Sequence, residues 1–283
     1  GPSLNKMDLN KLEGEIVFGC NSLFLLFDRI NWRPTYYACV DSRVLPDRAR
    51  EIDKMLQDNP DIEAFFPTEI REYTGDFKKT LVRTLIPSGS GRNFTTELRQ
   101  SHDRLPTSMF SVDANKGLVQ PFTVAITMLQ LAVYMGFEEI YLIGCDTSYV
   151  IPKDVEKEGV TSRGELGLAL TSTDDNDPNH FDPTYFGKGR KWHDPQTDKM
   201  IEHYSFAKAA VSRLNSNIYN ATVGGNLEVF ERIDFNCLFL RTYKTSPSPT
   251  LANKINIKIL ALLTPYPRIL RLVLSASRKL KVN

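Results

Sequence analysis

Gly136-Phe-Glu-Glu-Ile-Tyr-Leu-Ile-Gly-Cys-Asp146 is the stretch on which the fold turns. Before it, Phe122 to Met135 is an apolar run of helical length, and Gly136 stands where a helix-closing glycine belongs. After the glycine, Ile140 to Ile143 is apolar at successive positions, which suits a strand buried on both faces. The run ends on a carboxylate, Asp146. Helix, glycine, buried strand and terminal acid form the repeating unit of a doubly wound α/β sheet.

Two earlier runs have the same character: Glu15-Ile-Val-Phe-Gly-Cys-Asn21 and Thr35-Tyr-Tyr-Ala-Cys-Val-Asp41. Ligands of such sheets bind beyond the carboxyl ends of the strands. That rule singles out Asn21, Asp41 and Asp146. Asp47 to Gln57 reads as a surface helix, Met200 to Leu214 as another, Asn217 to Ala221 as a short strand and Gly224-Gly225 as a turn. Ser88-Gly-Ser-Gly-Arg92 reads as a flexible loop. Val150 to His193 is polar, rich in Asp, Gly and Pro, and weakly periodic, so it is expected to be a lid over a site.

Charge divides the chain. Beyond Asp234 there is no Asp or Glu, yet nine basic residues occur, among them Arg268, Arg271, Arg278, Lys279 and Lys281. Subtracting those nine from the total of 35 leaves 26 basic residues against all 34 acidic ones before that point. An acidic body with a basic tail argues against a general nucleic-acid binder. Ser246-Pro-Ser-Pro249 reads as a linker, and Arg268 to Lys281 mixes Ile269, Leu270, Leu272, Val273 and Leu274 with cations. That amphipathic pattern fits an anionic lipid interface, reached through residues 251–283, or packing on the domain or on a partner subunit. No run has the roughly 18 apolar residues of a membrane span. Cys20, Cys39, Cys145 and Cys237 show no metal-ligand spacing, which suggests a reducing compartment and no zinc. The expected location is cytoplasmic, peripheral on the inner face of the cell membrane.

The expected architecture is one Rossmann-like, doubly wound, mostly parallel sheet over residues 1–245. It includes the lid at about 150–193 and carries a basic amphipathic tail over 246–283.

Several motifs add a resemblance. Gly1-Pro2-Ser3-Leu4 with Phe18-Gly-Cys-Asn21, Thr123-Val-Ala followed by Gly136 to Asp146, and the lid segments Asn179-His180-Phe181, Tyr185-Phe-Gly187 and His193-Asp-Pro-Gln-Thr-Asp198 together resemble the bacterial sialyltransferases of glycosyltransferase family 42. They also resemble the wider MptE-like superfamily, which includes nonulosonate transferases and pterin pyrophosphokinases. The resemblance covers roughly residues 1–235. It implies a turn at Gly1, Pro2 and Ser3 whose amides approach nucleotide phosphates, with Asn21 and Asp41 contacting the nucleoside of a CMP-linked donor.

By the same resemblance, Tyr185 steadies the leaving phosphate, no metal or other cofactor is used, and the acceptor is a glycan or lipid-linked glycan. Thr123 opens a helix, so its hydroxyl and the helix amides suit a phosphate or carboxylate, or a plain N-cap. Asp146 lies at the ligand edge. Lys188, Arg190 and Lys191 suit phosphate charge, or are ordinary surface cations. Imidazole titrates near neutrality, which makes His193, oriented by Asp194, the expected general base. His180, with Asp182 nearby, is the rival. Asp175-Asn176-Asp177 has the form of a metal-binding Asp-x-Asp motif but lies in a loop, where acids usually only solvate.

The expected activity is an inverting, metal-independent transfer of a sialic-acid-like sugar. A Mg²⁺-dependent pyrophosphokinase and a non-catalytic nucleotide-binding scaffold remain as alternatives.

Overall fold

A computed structural model of the chain describes residues 1–73, 79–82, 84–85, 109–119, 122–160 and 168–239. The Ser88–Arg92 loop and the tail at 246–283 lie outside the described residues, as do residues 161–167 of the lid. Strands β1 (Phe18–Cys20), β2 (Tyr36–Ala38), β3 (Glu63–Pro67) and β4 (Lys79–Val82) form a parallel sheet in chain order. Tyr37 pairs with Ala64 and Ala38 with Phe65, and successive side chains alternate between the two faces.

Helices cover both faces, which is why these strands read as apolar throughout. On one face helix α1 (Val44–Asp58) sets Leu45, Ile52, Met55 and Leu56 against Tyr37, Ala64 and Phe66. On the other, Leu131 of helix α2 (Val124–Tyr134) packs with Ala38, Phe65 and Leu118. Helix α1 starts three residues before the expected Asp47. Asp41 Oδ1 accepts the N–H groups of Arg43 at 2.7 Å and Val44 at 3.0 Å, and Pro46 is tolerated in a first turn.

Helix α2 is apolar around most of its circumference because it is covered on several sides. Its Ile126, Leu129 and Val133 face a second core with Leu142, Ile218, Tyr204 and Ala207. That core joins strands β7 (Glu139–Leu142) and β11 (Asn217–Asn220) to helix α3 (Thr197–Val211). Met135, Gly136 and Phe137 close α2 as the sequence suggests. Gly136 has φ 85°, its N–H bonds Val133 O, and the Phe137 N–H bonds Ala132 O. This is a Schellman closure, which needs a left-handed residue at the glycine.

The polar Gln130 is wholly buried in α2, and both ends of its amide are hydrogen-bonded. Its Oε1 accepts the N–H groups of Ser111 at 2.8 Å and Val119 at 2.9 Å, and its Nε2 donates to Val119 O at 3.1 Å. Gln130→Leu leaves two buried N–H groups unpaired. It is expected to cost about 2–4 kcal/mol, taking 1–3 for each group and allowing relaxation. Urea denaturation of the two proteins measures this directly.

One expectation requires correction. Among the described residues the parallel strands do not form a single sheet: β1–β4 are one ladder, β7, β11 and β12 (Glu231–Arg232) a second, and β5 (Thr84–Leu85) with β6 (Leu118–Val119) a third. Among the described residues β1 bonds only β2, and β7 only β11. The two edges are linked by side chains, as where Phe18 meets Phe137 at 5.8 Å, and by α2, which packs on both. Among the described residues the hydrogen-bonded ladder is therefore interrupted, while helices cover both faces of the β1–β4 sheet.

The lid is also more ordered than its composition suggests. Strands β8 (Val155–Val160), β9 (Leu168–Ser172) and β10 (Lys191–His193) form an antiparallel sheet, with a bulge between Lys157 and Gly159. Its connection from Thr173 to Arg190 is anchored by aromatic rings. Phe181 and Tyr185 are buried beside Leu4, Leu26 and Trp32, and Phe186 stacks on Trp192 at 5.4 Å. Ring burial of this kind supplies stability without any periodic pattern.

Candidate functional site

The carboxyl ends of β1, β2 and β7 are where the polar residues gather. At β7, Asp146 is buried and accepts from Ser3 twice, from its hydroxyl at 2.7 Å and its N–H at 3.3 Å. The Gly1 ammonium donates to Gly144 O at 2.6 Å and lies 3.7 Å from Asp146. Pro2 begins the 3₁₀ turn Pro2–Lys6. Gly225, with φ 73°, passes so close that an added Cβ would lie 2.7 Å from Asp146 O, so only glycine suits that position. Asp146 is thus the anchor of the Gly1–Ser3 turn.

At β1, Asn21 adopts a left-handed φ of 49°, a region that asparagine tolerates better than most residues. Its carbonyl accepts the Tyr37 hydroxyl at 2.5 Å. Asn21 Oδ1 and the Ser22 hydroxyl are both buried without a hydrogen-bond partner. The Tyr185 hydroxyl faces the Ser22 N–H and the Asn21 side chain; burial nonetheless pushes its pKa well above the ordinary tyrosine value.

At β2, Asp41 meets His193 across 152 residues of sequence, with Oδ2 3.2 Å from the His193 Nδ1. Burial alone would raise the Asp41 pKa. The hydrogen bond and charge of His193, with the Val44 and Arg43 N–H groups, outweigh that and leave it below the ordinary value. An ionised carboxylate only accepts, so the His193 Nδ1 carries the hydrogen of this bond and Nε2 is the ring nitrogen left for a ligand. The partner of His193 is therefore Asp41 and not the expected Asp194, whose N–H is spent on Leu168 O in the sheet.

A second such pair lies in the lid. His180 Nδ1 is 2.7 Å from Asp177 Oδ2, and its ring stacks on Tyr185 at 3.8 Å and 5°. Burial lowers the His180 pKa despite the opposing pull of Asp177. Asp177 also accepts the N–H groups of Asn179 and Phe186. Asp182, expected beside His180, instead bonds Thr184. Asp175 accepts the Lys188 N–H at 2.8 Å, so both acids of the Asp-x-Asp sequence serve loop structure. Among the described residues no group of three or more His, Cys, Asp or Glu is placed to hold a metal.

Thr123 occupies the N-cap of α2 without bonding the helix amides. Its hydroxyl contacts that of Tyr204, which also meets Cys145. Lys188 is exposed. Arg190 is not free for phosphate: it bonds Glu51 at 2.6 Å and the Asp47 carbonyl at 3.1 Å. Lys191 begins β10 and is exposed.

Sequence reasoning missed Ser22, Arg48 and Tyr204, and weighed Asp177 as part of an Asp-x-Asp motif or a solvating loop acid, not as the partner of His180. Asp177 and His180 are three apart, a local spacing that could have suggested the pair. The others carry no such signal.

No protein-family model matches the chain, and no curated protein matches it. Among solved structures it is similar to the MAf glycosyltransferase from Magnetospirillum magneticum AMB-1, at 15% identity and a TM-score of 0.47. That neighbour is a glycosyltransferase. The similarity covers 92% of this chain and 36% of the neighbour's length. Among the described residues no helix is long and apolar enough to cross a membrane.

Proposed function

We propose that this chain is a nucleotide-sugar-dependent glycosyltransferase domain that moves a sialic-acid-like sugar from a CMP donor to a glycan hydroxyl, inverting the anomeric carbon without a metal. The observation that carries this reading is the Asp41–His193 pair at the carboxyl end of the parallel strands, where ligands of α/β sheets bind. His193 Nε2 takes the proton of the acceptor hydroxyl as its oxygen attacks the anomeric carbon. The bond from that carbon to the phosphate oxygen breaks, and CMP leaves with the electron pair. Asp41 holds the imidazole in the right tautomer and stabilises the imidazolium that forms.

The unpartnered Asn21 Oδ1 and Ser22 hydroxyl support a nucleoside beside β1. A buried polar atom left unpaired costs about 1–3 kcal/mol, and a ligand donor to Asn21 offsets that. Lid residues around Tyr185 keep water from the activated sugar.

A thermal-shift series with CMP, UDP, GDP and ATP, each with and without Mg²⁺, tests the reading. CMP at 100 times its Kd is expected to stabilise the protein by about 2.7 kcal/mol with no need of Mg²⁺. A response confined to ATP with Mg²⁺ would overturn it.

A further inference from the structure

Arg48 is the most deeply buried charged residue of α1, with 4% of its surface exposed. Its Nη2 donates to two successive carbonyls of the lid, Thr184 O at 2.9 Å and Tyr185 O at 2.6 Å. Nη1 bonds Glu51 at 3.2 Å, and Arg190 reaches the same Glu51 and also Asp47. Two cations and two anions thus pin residues 184–190 to α1. The planar guanidinium directs both Nη2 hydrogens at adjacent carbonyls while Nη1 reaches Glu51, a fixed arrangement of two nitrogens that a point-charge ammonium on a flexible stem does not reproduce.

The pinned segment is the one that carries Tyr185. From there the ring stacks on His180, and the hydroxyl faces Asn21 and Ser22. We propose that Arg48 is a positioning residue that, through the Thr184 and Tyr185 carbonyls, sets the Tyr185 ring and hence the Asn21 and His180 side chains for nucleotide binding. Its functional consequence rests on the proposed nucleotide site, whereas its geometric consequence does not. Burial and the neighbouring Arg190 charge lower the Arg48 pKa, so the guanidinium is held against a desolvation cost. The lid carbonyls and Glu51 offset that cost.

The chain has four histidines, so their Cε1–H resonances can be assigned by single substitutions. In the native protein the His180 line, identified by its loss in His180→Gln, is expected well upfield of its denatured-chain position because of the Tyr185 ring. In Arg48→Met it should move towards the denatured-chain position while the His203 line and a cooperative melt persist. CMP binding, measured by calorimetry, should weaken about tenfold or more. Arg48→Lys, which keeps the charge but bridges the carbonyls poorly, should fall between and decides the matter if the Met variant does not fold. An unmoved His180 line in a folded variant, or unchanged CMP affinity, overturns the proposal. If the native protein ignores CMP, the nucleotide reading fails, and the His180 line still decides whether Arg48 places Tyr185.

Discussion

His193→Ala is expected to lower sugar transfer by about 10²–10⁴-fold, the range for loss of a positioned general base. Binding of CMP should survive, because His193 touches Asp41 and not the Asn21–Ser22 end of the site. Asp41→Asn should also reduce turnover, since an amide can offer its NH₂ to Nδ1 and favour the wrong tautomer. It should weaken α1 less than Asp41→Ala, because its carbonyl still accepts the Arg43 and Val44 N–H groups. Initial rates with a CMP-activated sugar, alongside CMP affinity, separate these effects. Full turnover in His193→Ala with its loss in His180→Ala would move the base to the Asp177–His180 pair and sink the assignment of His193.

The second large effect is on stability. His203 is buried in α3 against Phe122 and Phe206, and neither ring nitrogen has a hydrogen-bond partner. Burial first, and the nearby Lys199 charge second, push its pKa down to about 4. In the unfolded chain the ordinary histidine value of about 6.5 applies. Between those values the unfolded state binds more protons, so stability present above pH 6.5 is lost as pH falls. The loss from this one side chain reaches about 3 kcal/mol at pH 4. His203→Leu cannot be protonated. Its advantage over the native protein in urea denaturation is therefore expected to grow from pH 7 to pH 4 by about that amount. A constant difference across the range would show that His203 binds its proton equally in the folded and unfolded states, and would overturn the depressed value.

The same His203 illustrates what one sequence can and cannot disclose. Its place on a helix is legible from Met200 to Leu214, and the observed helix differs only by starting at Thr197 and ending at Val211. Its isolation from hydrogen-bond partners is not, because Phe122 lies 81 residues away in the chain. Helix α2 and strand β7 were readable for a local reason: an apolar run, a glycine and a second apolar run each require one backbone geometry. The lid resisted for the opposite reason. Val155-Glu-Lys-Glu-Gly-Val160 is exposed over much of its length, so no alternating apolar face marks it as a strand. It is held by pairing with β9 and by rings that meet only after folding.

The site divides along the same line. The amino-acid sequence by itself determined that Asn21, Asp41 and Asp146 end apolar runs and so gather at one edge of a parallel α/β arrangement, and that the histidines lie in the polar segment beyond. Tertiary structure alone decided the partners. Asp146 is taken by Ser3, Arg190 by Glu51 and Asp47, and His193 by Asp41 rather than by its neighbour Asp194. Apolar patterning acts through neighbours three or four residues apart and survives in any context. Pairing of two charged side chains depends on distance and desolvation, which exist only once the helices and the lid have closed on the strand ends.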